Sequence, residues 1–177
     1  MPSSRTQKQS AMATTGNYRS CADFAVARDV PVRRLPGLME TTLLLLKPDC
    51  VKKGLCGEVL ARLEKAGFSL CGCKMFAMTD DLVKAHYAHL LDKPFYGELR
   101  DFMQSSPVVA LALAGENAVE RARDLMGPTD SKKAAKGTIR GDFGENVMAN
   151  IVHGSDSIEN AEAELVRFFA PGELFPR

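Results

Sequence analysis

An octapeptide at 150–157, Asn-Ile-Val-His-Gly-Ser-Asp-Ser, places His153 where an apolar run meets small, turn-forming residues. This pattern predicts a histidine at the end of a strand, held by rigid structure and open to solvent or a ligand. Neutral imidazole is abundant at physiological pH, so His153 could act as a base, a metal ligand or a nucleophile. The alternative is a histidine that only forms a hydrogen bond at a helix entrance.

The rest of the sequence narrows these chemistries. No second histidine or cysteine lies at metal-ligand spacing from His153, which argues against zinc. The chain has no GxSxG nucleophile elbow, which weakens the interpretation as a hydrolase. It also has no GxxxxGK[ST] phosphate-binding loop. Nucleophilic attack by His153 itself is therefore the sharpest remaining hypothesis.

The charges of the chain are unevenly distributed. Residues 1–39 hold six basic and two acidic residues, a net charge of +4, and the remainder carries −3. The larger part is too close to neutral for the electrostatic footprint of a nucleic-acid-binding domain. Any phosphate site must instead come from a few cations that converge in the fold.

Residues 1–39 lack a sustained apolar period, so we expect a flexible N-terminal extension followed by one domain at 40–177. The arginines and serines of this segment superficially match a mitochondrial or plastid transit peptide, although Asp23 and Asp29 do not. We expect a passive extension, or an upstream start-codon assignment, on a cytoplasmic protein. A mitochondrial or plastid location is the alternative.

Cysteine usage and hydropathy bound the class of protein further. The five cysteines include no CxxC pair, so the sequence indicates neither a disulfide framework nor a zinc site. No apolar run approaches the roughly 20 residues that a membrane-spanning helix needs. We therefore expect a soluble protein of a reducing compartment, with no membrane partner.

Apolar periodicity predicts alternating strands and helices in the order βαβ(αα)βαβ. The predicted strands lie at 41–46, 68–78, 107–114 and 149–152. The predicted helices lie at 57–66, 79–90, 94–104, 117–126 and 158–169. This order fits an α/β (α+β) fold of the ferredoxin-like, split βαβ type, with a four-stranded antiparallel sheet. The two helices between the second and third strands would form a hairpin insertion.

A long segment at 127–149 shows little apolar periodicity. Loops longer than about 12–15 residues are usually functional or disordered. This one carries Thr129, Arg140 and three lysines, a composition suited to enclosing phosphate. The alternative is a solvated basic loop. We predict a nucleotide-binding loop here.

Three motifs in a fixed order carry a family resemblance. They are Thr-Leu-Leu-Leu-Leu-Lys-Pro-Asp-Cys at 42–50, Thr-Ile-Arg-Gly-Asp-Phe at 138–143 and the octapeptide. Together with the intervening Pro94-Phe95 and Gly127-Pro128-Thr129, they resemble the nucleoside diphosphate kinase family from about residue 40 to about 175. The resemblance implies the ferredoxin-like fold. It also implies a ping-pong reaction, in which the γ-phosphate of a nucleoside triphosphate passes to His153 and then to a nucleoside diphosphate.

The resemblance also implies roles for residues on several segments. Phosphate contacts fall to Lys47, Arg123, Thr129 and Arg140, base stacking to Phe95, a sugar contact to Asn150, and a place beside His153 to Tyr87. From the residues alone, a single lysine or arginine is more often surface than site, and an unassigned aromatic is more often core.

Glu164 lies seven residues after Ser157, which is two turns along the predicted final helix. A carboxylate bonded to one imidazole nitrogen fixes the tautomer and leaves the other nitrogen free to attack. The resemblance gives this role to Glu164 and Ser155. By sequence alone Glu159 and Glu162 compete for it, and a solvated glutamate is the commoner fate.

The resemblance sets the expected ligands and partners as well. Mg²⁺ should be bound with the nucleotide phosphates, since it prefers oxygen ligands and no carboxylate cage is visible. The expected partners are ATP, other nucleoside tri- and diphosphates, and further copies of the chain in a tetramer or hexamer. Two rival hypotheses are a catalytically silent, nucleotide-binding or scaffold member of the family and a nucleic-acid-binding protein that uses the basic extension.

Overall fold

The computed structural model describes residues 39–175. The expected flexible extension, apart from Met39, lies outside the described residues, as do the last two residues of the chain. Met39 is the first residue of the first strand and pairs with Glu116.

The described chain contains four strands and seven α-helices. The strands are β1 (Met39–Leu46), β2 (Ser69–Phe76), β3 (Val108–Glu116) and β4 (Val152–Gly154). The helices are α1 (Pro48–Lys52), α2 (Cys56–Lys65), α3 (Asp80–His86), α4 (Tyr96–Gln104), α5 (Ala118–Met126), α6 (Ile139–Phe143) and α7 (Ile158–Phe168). Two short 3₁₀ helices, Ala88–Leu90 and Ser131–Lys133, lie in the connections.

The strands form one antiparallel sheet in the order β2-β3-β1-β4. This architecture confirms the predicted ferredoxin-like fold. Successive side chains of a strand point to opposite faces, and helices cover both faces here. Leu43 and Leu45 of β1 pack in a core with α3, α4 and α7, while Leu44 and Leu46 pack in a core with α2 and α5. The four-leucine run reflects burial on both sides.

The helical hairpin is present with shifted ends. The predicted helix 79–90 is α3 followed by the 3₁₀ helix Ala88–Leu90, with an interruption at Tyr87. Thr79 caps α3 because its side chain accepts a hydrogen bond from the Leu82 N–H. The second helix begins at Tyr96 rather than at Pro94.

β1 is not followed by an irregular loop, although Pro48 comes directly after Lys47. Pro48 instead occupies the first turn of α1, where its missing N–H needs no partner. Lys47 lies between β1 and α1, where its N–H donates to the Ile151 carbonyl and its carbonyl accepts from the Val51 N–H.

The predicted bounds of the last strand, 149–152, were wrong. Ile151 has a φ of 73°, which breaks extended pairing, so β4 begins only at Val152. His153 therefore lies within β4, opposite Leu45, rather than at a strand end.

The segment 127–149 is more ordered than its sequence indicates. It contains the 3₁₀ helix Ser131–Lys133 and helix α6, whose N-terminus is capped by the Thr138 hydroxyl. A helix of five residues is too short to show a helical period in its sequence.

Candidate active site

His153 is half-buried, and its two ring nitrogens have different surroundings. The Nε2 atom lies 3.0 Å from Oε1 of Glu164. An ionised carboxylate can only accept a hydrogen bond, so this contact requires the proton on Nε2. The lone pair of Nδ1 is then free for attack on a ligand.

Glu164 is buried and is held from both sides. Its Oε1 faces His153, and its Oε2 accepts a 2.6 Å hydrogen bond from the Ser155 hydroxyl. The competitors Glu159 and Glu162 are exposed on α7. The fold thus brings Ser155 and Glu164 to His153, as the resemblance implied, and leaves the two other glutamates in solvent.

His86 is a neighbour that the sequence did not reveal. Its ring packs edge-on to the His153 ring at 4.5 Å between centroids, and its Nδ1 lies 3.6 Å from Glu164 Oε1. Burial, with the charges of His153 and Arg167, holds the pKa of His86 well below its usual value. His86 is therefore neutral at physiological pH, and no motif marks it, since it lies 67 residues before His153.

His86, His153 and Glu164 bring possible metal-ligand atoms within 4.8 Å of one another, a cluster that sequence spacing does not predict. This set offers two nitrogens and one oxygen, which does not suit the oxygen preference of Mg²⁺. The Arg167 guanidinium also lies 3.4 Å from His86 Nδ1. We attribute the contacts among His86, His153 and Glu164 to orientation of the His153 ring rather than to metal binding.

Lys47 is buried beside the loop that precedes His153. Its ammonium group donates to the carbonyl of Met148 and, at 2.8 Å, to Oδ1 of Asn150. The ring of Phe102 lies 5.0 Å from its Nζ. Burial lowers the pKa of Lys47 to about 8, although Asp49 opposes that shift.

Arg140 and Arg123 are close to each other but differ in exposure. Arg140 is buried and donates to the carbonyls of Gly127 at 2.8 Å and Val152 at 2.9 Å. Burial, with the nearby charge of Arg123, lowers the pKa of Arg140 to about 10. Arg123 is exposed on α5, and its guanidinium makes no hydrogen bond with residues 39–175. Of these two arginines, Arg123 is the one open to an incoming anion.

A cavity of about 420 Å³ lies beside these arginines and is lined by Arg123, Pro128, Thr129, Lys133, Thr138 and Arg140 among others. A second cavity of about 380 Å³ includes Arg123 and Asp156 in its lining. Arg123 borders both spaces, whereas His153 lines neither. The bond from Arg140 to the Val152 carbonyl links the first cavity to the residue preceding His153.

The remaining candidates differ in how open they are. Phe95 is 47% exposed at the start of α4. The Tyr87 ring is buried, 6.4 Å from the His153 ring, and its hydroxyl contacts Met103 Sδ at 3.6 Å. Burial raises the pKa of that hydroxyl, so it stays protonated. The Asn150 amide donates to the carbonyls of Thr129 and Val147 and thereby ties the loop to β4.

A model of the nucleoside diphosphate kinase family matches residues 40–174. The chain belongs to the nucleoside diphosphate kinase family. It is 51% identical over 136 residues to a nucleoside diphosphate kinase of Bacillus cereus, covering 77% of this chain and 92% of the relative. It is 50% identical to a nucleoside diphosphate kinase of Dehalococcoides mccartyi, covering 77% of this chain and 96% of that relative.

Solved structures give the same result. A Halobacterium salinarum nucleoside diphosphate kinase in complex with CDP aligns with a TM-score of 0.76 at 41% identity, covering 78% of this chain and 92% of that one. An Aquifex aeolicus nucleoside diphosphate kinase aligns with a TM-score of 0.74 at 40% identity, covering 77% and 99%. The chain is therefore an enzyme of this family, and its activity is phosphoryl transfer from a nucleoside triphosphate to a nucleoside diphosphate.

Proposed function

We propose that His153 carries the phosphoryl group between the two nucleotides and that Nδ1 is its attacking atom. The observation that carries this proposal is the hydrogen bond from Nε2 to Glu164, itself held by Ser155. This chain of contacts fixes the proton on one ring nitrogen and leaves the other nucleophilic. No other histidine among the described residues combines such a bond with partial exposure.

Each half-reaction exchanges one bond for another. The Nδ1 lone pair forms a bond to the γ-phosphorus, and the bond from that phosphorus to the β–γ bridging oxygen breaks. The nucleoside diphosphate leaves with the electron pair of that bond. The second half-reaction reverses these steps with a new diphosphate. The imidazole ring gains positive charge on phosphorylation, which the carboxylate of Glu164 stabilises.

The charges around His153 support this reaction. Phosphoryl transfer needs cations that neutralise the equatorial oxygens of the transferring group. We assign this role to Arg123, Arg140 and Lys47, with a hydroxyl hydrogen bond from Thr129, and we assign the base platform to exposed Phe95. Asn150 and Tyr87 complete the proposed site, at the sugar and beside His153.

We propose that Mg²⁺ arrives as part of the nucleotide complex. Among residues 39–175 the one cluster of possible metal ligands is nitrogen-rich, so the phosphate oxygens and water fit this ion better. When bound there, Mg²⁺ neutralises charge on the phosphates. The protein residues then bind and orient the complex.

The test separates the two half-reactions. The enzyme, incubated with γ-labelled ATP and Mg²⁺, should acquire an acid-labile label and release it to an added diphosphate. His153→Ala should do neither, whereas His89→Ala, which changes an exposed histidine outside the site, should do both. Labelling of the His153 variant at the normal level would refute the proposal. Failure of the unaltered enzyme to label would favour a silent, nucleotide-binding member of the family.

We further propose a homo-oligomer, a tetramer or a hexamer, located in the cytoplasm. The proposal of self-association rests on membership of the family. Within the described part of the chain, no helix has the length and apolar character needed to cross a membrane. Native mass spectrometry distinguishes the two assemblies from a monomer, and imaging of a fluorescent fusion tests the location.

A further inference from the structure

Ile151 adopts a backbone conformation that its side chain disfavours. Its φ of 73° lies in the left-handed region, which a β-branched residue rarely enters. Such a conformation persists only where the surrounding structure imposes it. The turn at Ile151 separates Asn150, which contacts Lys47, from the strand that carries His153. The contacts that impose this turn therefore control the position of His153 relative to Asn150 and Lys47.

Two hydrogen bonds from the junction of β1 and α1 hold Ile151. Its N–H donates to Oδ2 of Asp49 at 2.8 Å, and its carbonyl accepts from the Lys47 N–H at 2.9 Å. The first bond is buried and joins residues 102 positions apart in the chain. Asp49 is thus the one side chain of the described protein that bonds the strained residue's backbone.

The charge of Asp49 is costly where it stands. The residue is buried, and its Oδ1 has no hydrogen-bond partner among the described residues. A buried carboxylate oxygen without a hydrogen-bond partner is disfavoured unless a nearby cation offsets its charge. The ammonium group of Lys47, two residues earlier, is a cation within electrostatic reach of Asp49, although the two side chains form no direct ion pair in the described part of the chain.

Groups from α1, α6, α4 and the loop before β4 surround the ammonium group of Lys47. Asp49 of α1 is the anion near it, Arg140 of α6 is a second cation, Phe102 of α4 offers its ring, and the loop supplies the oxygens of Met148 and Asn150. Burial and Arg140 disfavour its charged form, and Asp49 favours it. Removal of the Asp49 charge would leave the buried ammonium group with uncharged oxygen acceptors and no counter-ion in the described site.

We propose that Asp49 is a positioning residue with two tasks: its carboxylate fixes the left-handed turn that presents His153, and its negative charge offsets that of the buried Lys47 ammonium group. This inference rests on the proposed roles of His153 and Lys47. Asp49 itself is assigned no contact with a reacting atom, because its Oδ2 accepts the hydrogen bond of the Ile151 N–H.

The variant Asp49→Asn separates the two tasks. Asparagine retains an oxygen that can accept from the Ile151 N–H but carries no charge. Lys47 loses its proton as the pH rises through about 8, so kcat/KM of the unaltered enzyme should fall above that pH. In Asp49→Asn the fall should begin about one pH unit lower or more, since an opposite charge nearby shifts a pKa by roughly that amount. The fall at alkaline pH should be smaller in kcat than in kcat/KM, because bound nucleotide phosphates also favour the ammonium form of Lys47.

Two further variants complete the design. Lys47→Arg should remove the alkaline limb, because arginine stays charged throughout this pH range. Asp49→Leu removes the acceptor as well as the charge, so it should lower the rate at every pH and speed hydrogen exchange at the Ile151 amide. Asp101→Asn, which alters an exposed aspartate, should leave the profile and the exchange unchanged. Thermal melts of each variant record the integrity of the fold.

The decisive readout does not depend on activity. In protein with ¹³C-labelled lysine, the NMR titration of Lys47 should move to lower pH in Asp49→Asn while the Ile151 amide stays protected. An unchanged Lys47 titration, or an alkaline limb that persists in Lys47→Arg, would overturn the inference. If Asp49→Leu does not fold, the two measurements on Asp49→Asn still decide it. Failure of the proposed function would appear separately, as absence of label on His153 in the unaltered enzyme.

Discussion

The hydroxyl of Ser155 acts on the reaction through Glu164, which it contacts at 2.6 Å in a buried setting. Ser155→Ala leaves a buried carboxylate oxygen without this donor, and hydrogen bonds to charged groups contribute about 1.5–3 kcal/mol. We expect the rate of His153 phosphorylation to fall by about 10- to 100-fold, as measured in a single turnover. Ser106→Ala, before β3, should retain the normal rate, and an equal loss in both variants would argue against a specific role for Ser155.

The two arginines of the proposed phosphate clamp should respond differently to removal. Arg123 is exposed and unbonded within residues 39–175, so Arg123→Ala should lower kcat by about 10²-fold and leave the melting temperature unchanged. Arg140→Ala should lower both, because it also leaves the carbonyls of Gly127 and Val152 without a donor.

The matched control for both arginines is Lys132→Ala, which removes an exposed cation from the same loop. Lys133 is not a neutral control, because it lines the cavity beside Thr129. Steady-state kinetics and thermal melts of the three variants test this assignment. Similar activity of Arg123→Ala and Lys132→Ala would mean that different charges converge on the phosphate.

At the level of elements, the segment 127–149 is held by close backbone packing as well as by side chains. A Cβ on Gly141 would lie 2.0 Å from the carbonyl oxygen of Ala135, so Gly141→Ala requires the backbone to shift. We expect a loss of about 1–3 kcal/mol in the free energy of unfolding, and lower activity, because α6 carries Arg140. Denaturant melts and kinetics measure both.

Gly97→Ala is the control for that substitution. A Cβ on Gly97 would meet nothing within 4 Å, and the residue lies in α4. We expect its stability to stay unchanged or to rise by about 0.5–1 kcal/mol, because alanine favours a helix more than glycine does. If Gly141→Ala behaved in the same way, the loop would not be the tightly packed element described above.

The elements that the sequence predicted well are those whose packing repeats along the chain. β1 and β3 contain continuous apolar runs buried on both faces, and α5 buries apolar positions at helical spacing, so these patterns were visible and only the ends shifted by one or two residues. α1 and α6 have five residues each and carry no readable period. The late start of β4 depends on the left-handed Ile151, which a distant carboxylate holds in place.

Residues of the site divide in the same way. His153, Ser155 and Lys47 belong to motifs that are contiguous in sequence, so their types and spacing pointed to them. His86 contacts His153, and Asp49 contacts Ile151, only because the fold brings distant segments together. The sequence did not single out His86, because nothing in its neighbourhood indicates that α3 packs against β4. Asp49 lies in the same motif as Lys47, but the motif does not reveal its contact with Ile151.

At the scale of the whole molecule, we predict that residues 1–38 are dispensable. Their sequence lacks the apolar period needed to offset an ordering cost of about 1 kcal/mol or more per residue. An enzyme that begins at Met39, the first residue of β1, should keep the melting temperature, oligomeric mass and kinase rate of the full chain.

The shortened enzyme should differ chiefly in weaker, salt-sensitive binding to anionic surfaces, since the removed segment is basic. Light scattering, thermal melts and binding to anionic vesicles at two salt concentrations make this comparison. A large loss of stability or activity on truncation would show that the segment packs on the domain.

The most direct test of the account is the position of the phosphate on the intact enzyme. The bond from Nε2 to Glu164 leaves Nδ1 of His153 as the free nitrogen. Heteronuclear NMR that correlates the phosphorus with ring protons distinguishes the two phosphohistidine isomers. We predict a phosphate on Nδ1 of His153 after brief exposure to Mg²⁺ and ATP. A phosphate on Nε2, or on any other residue, would contradict it.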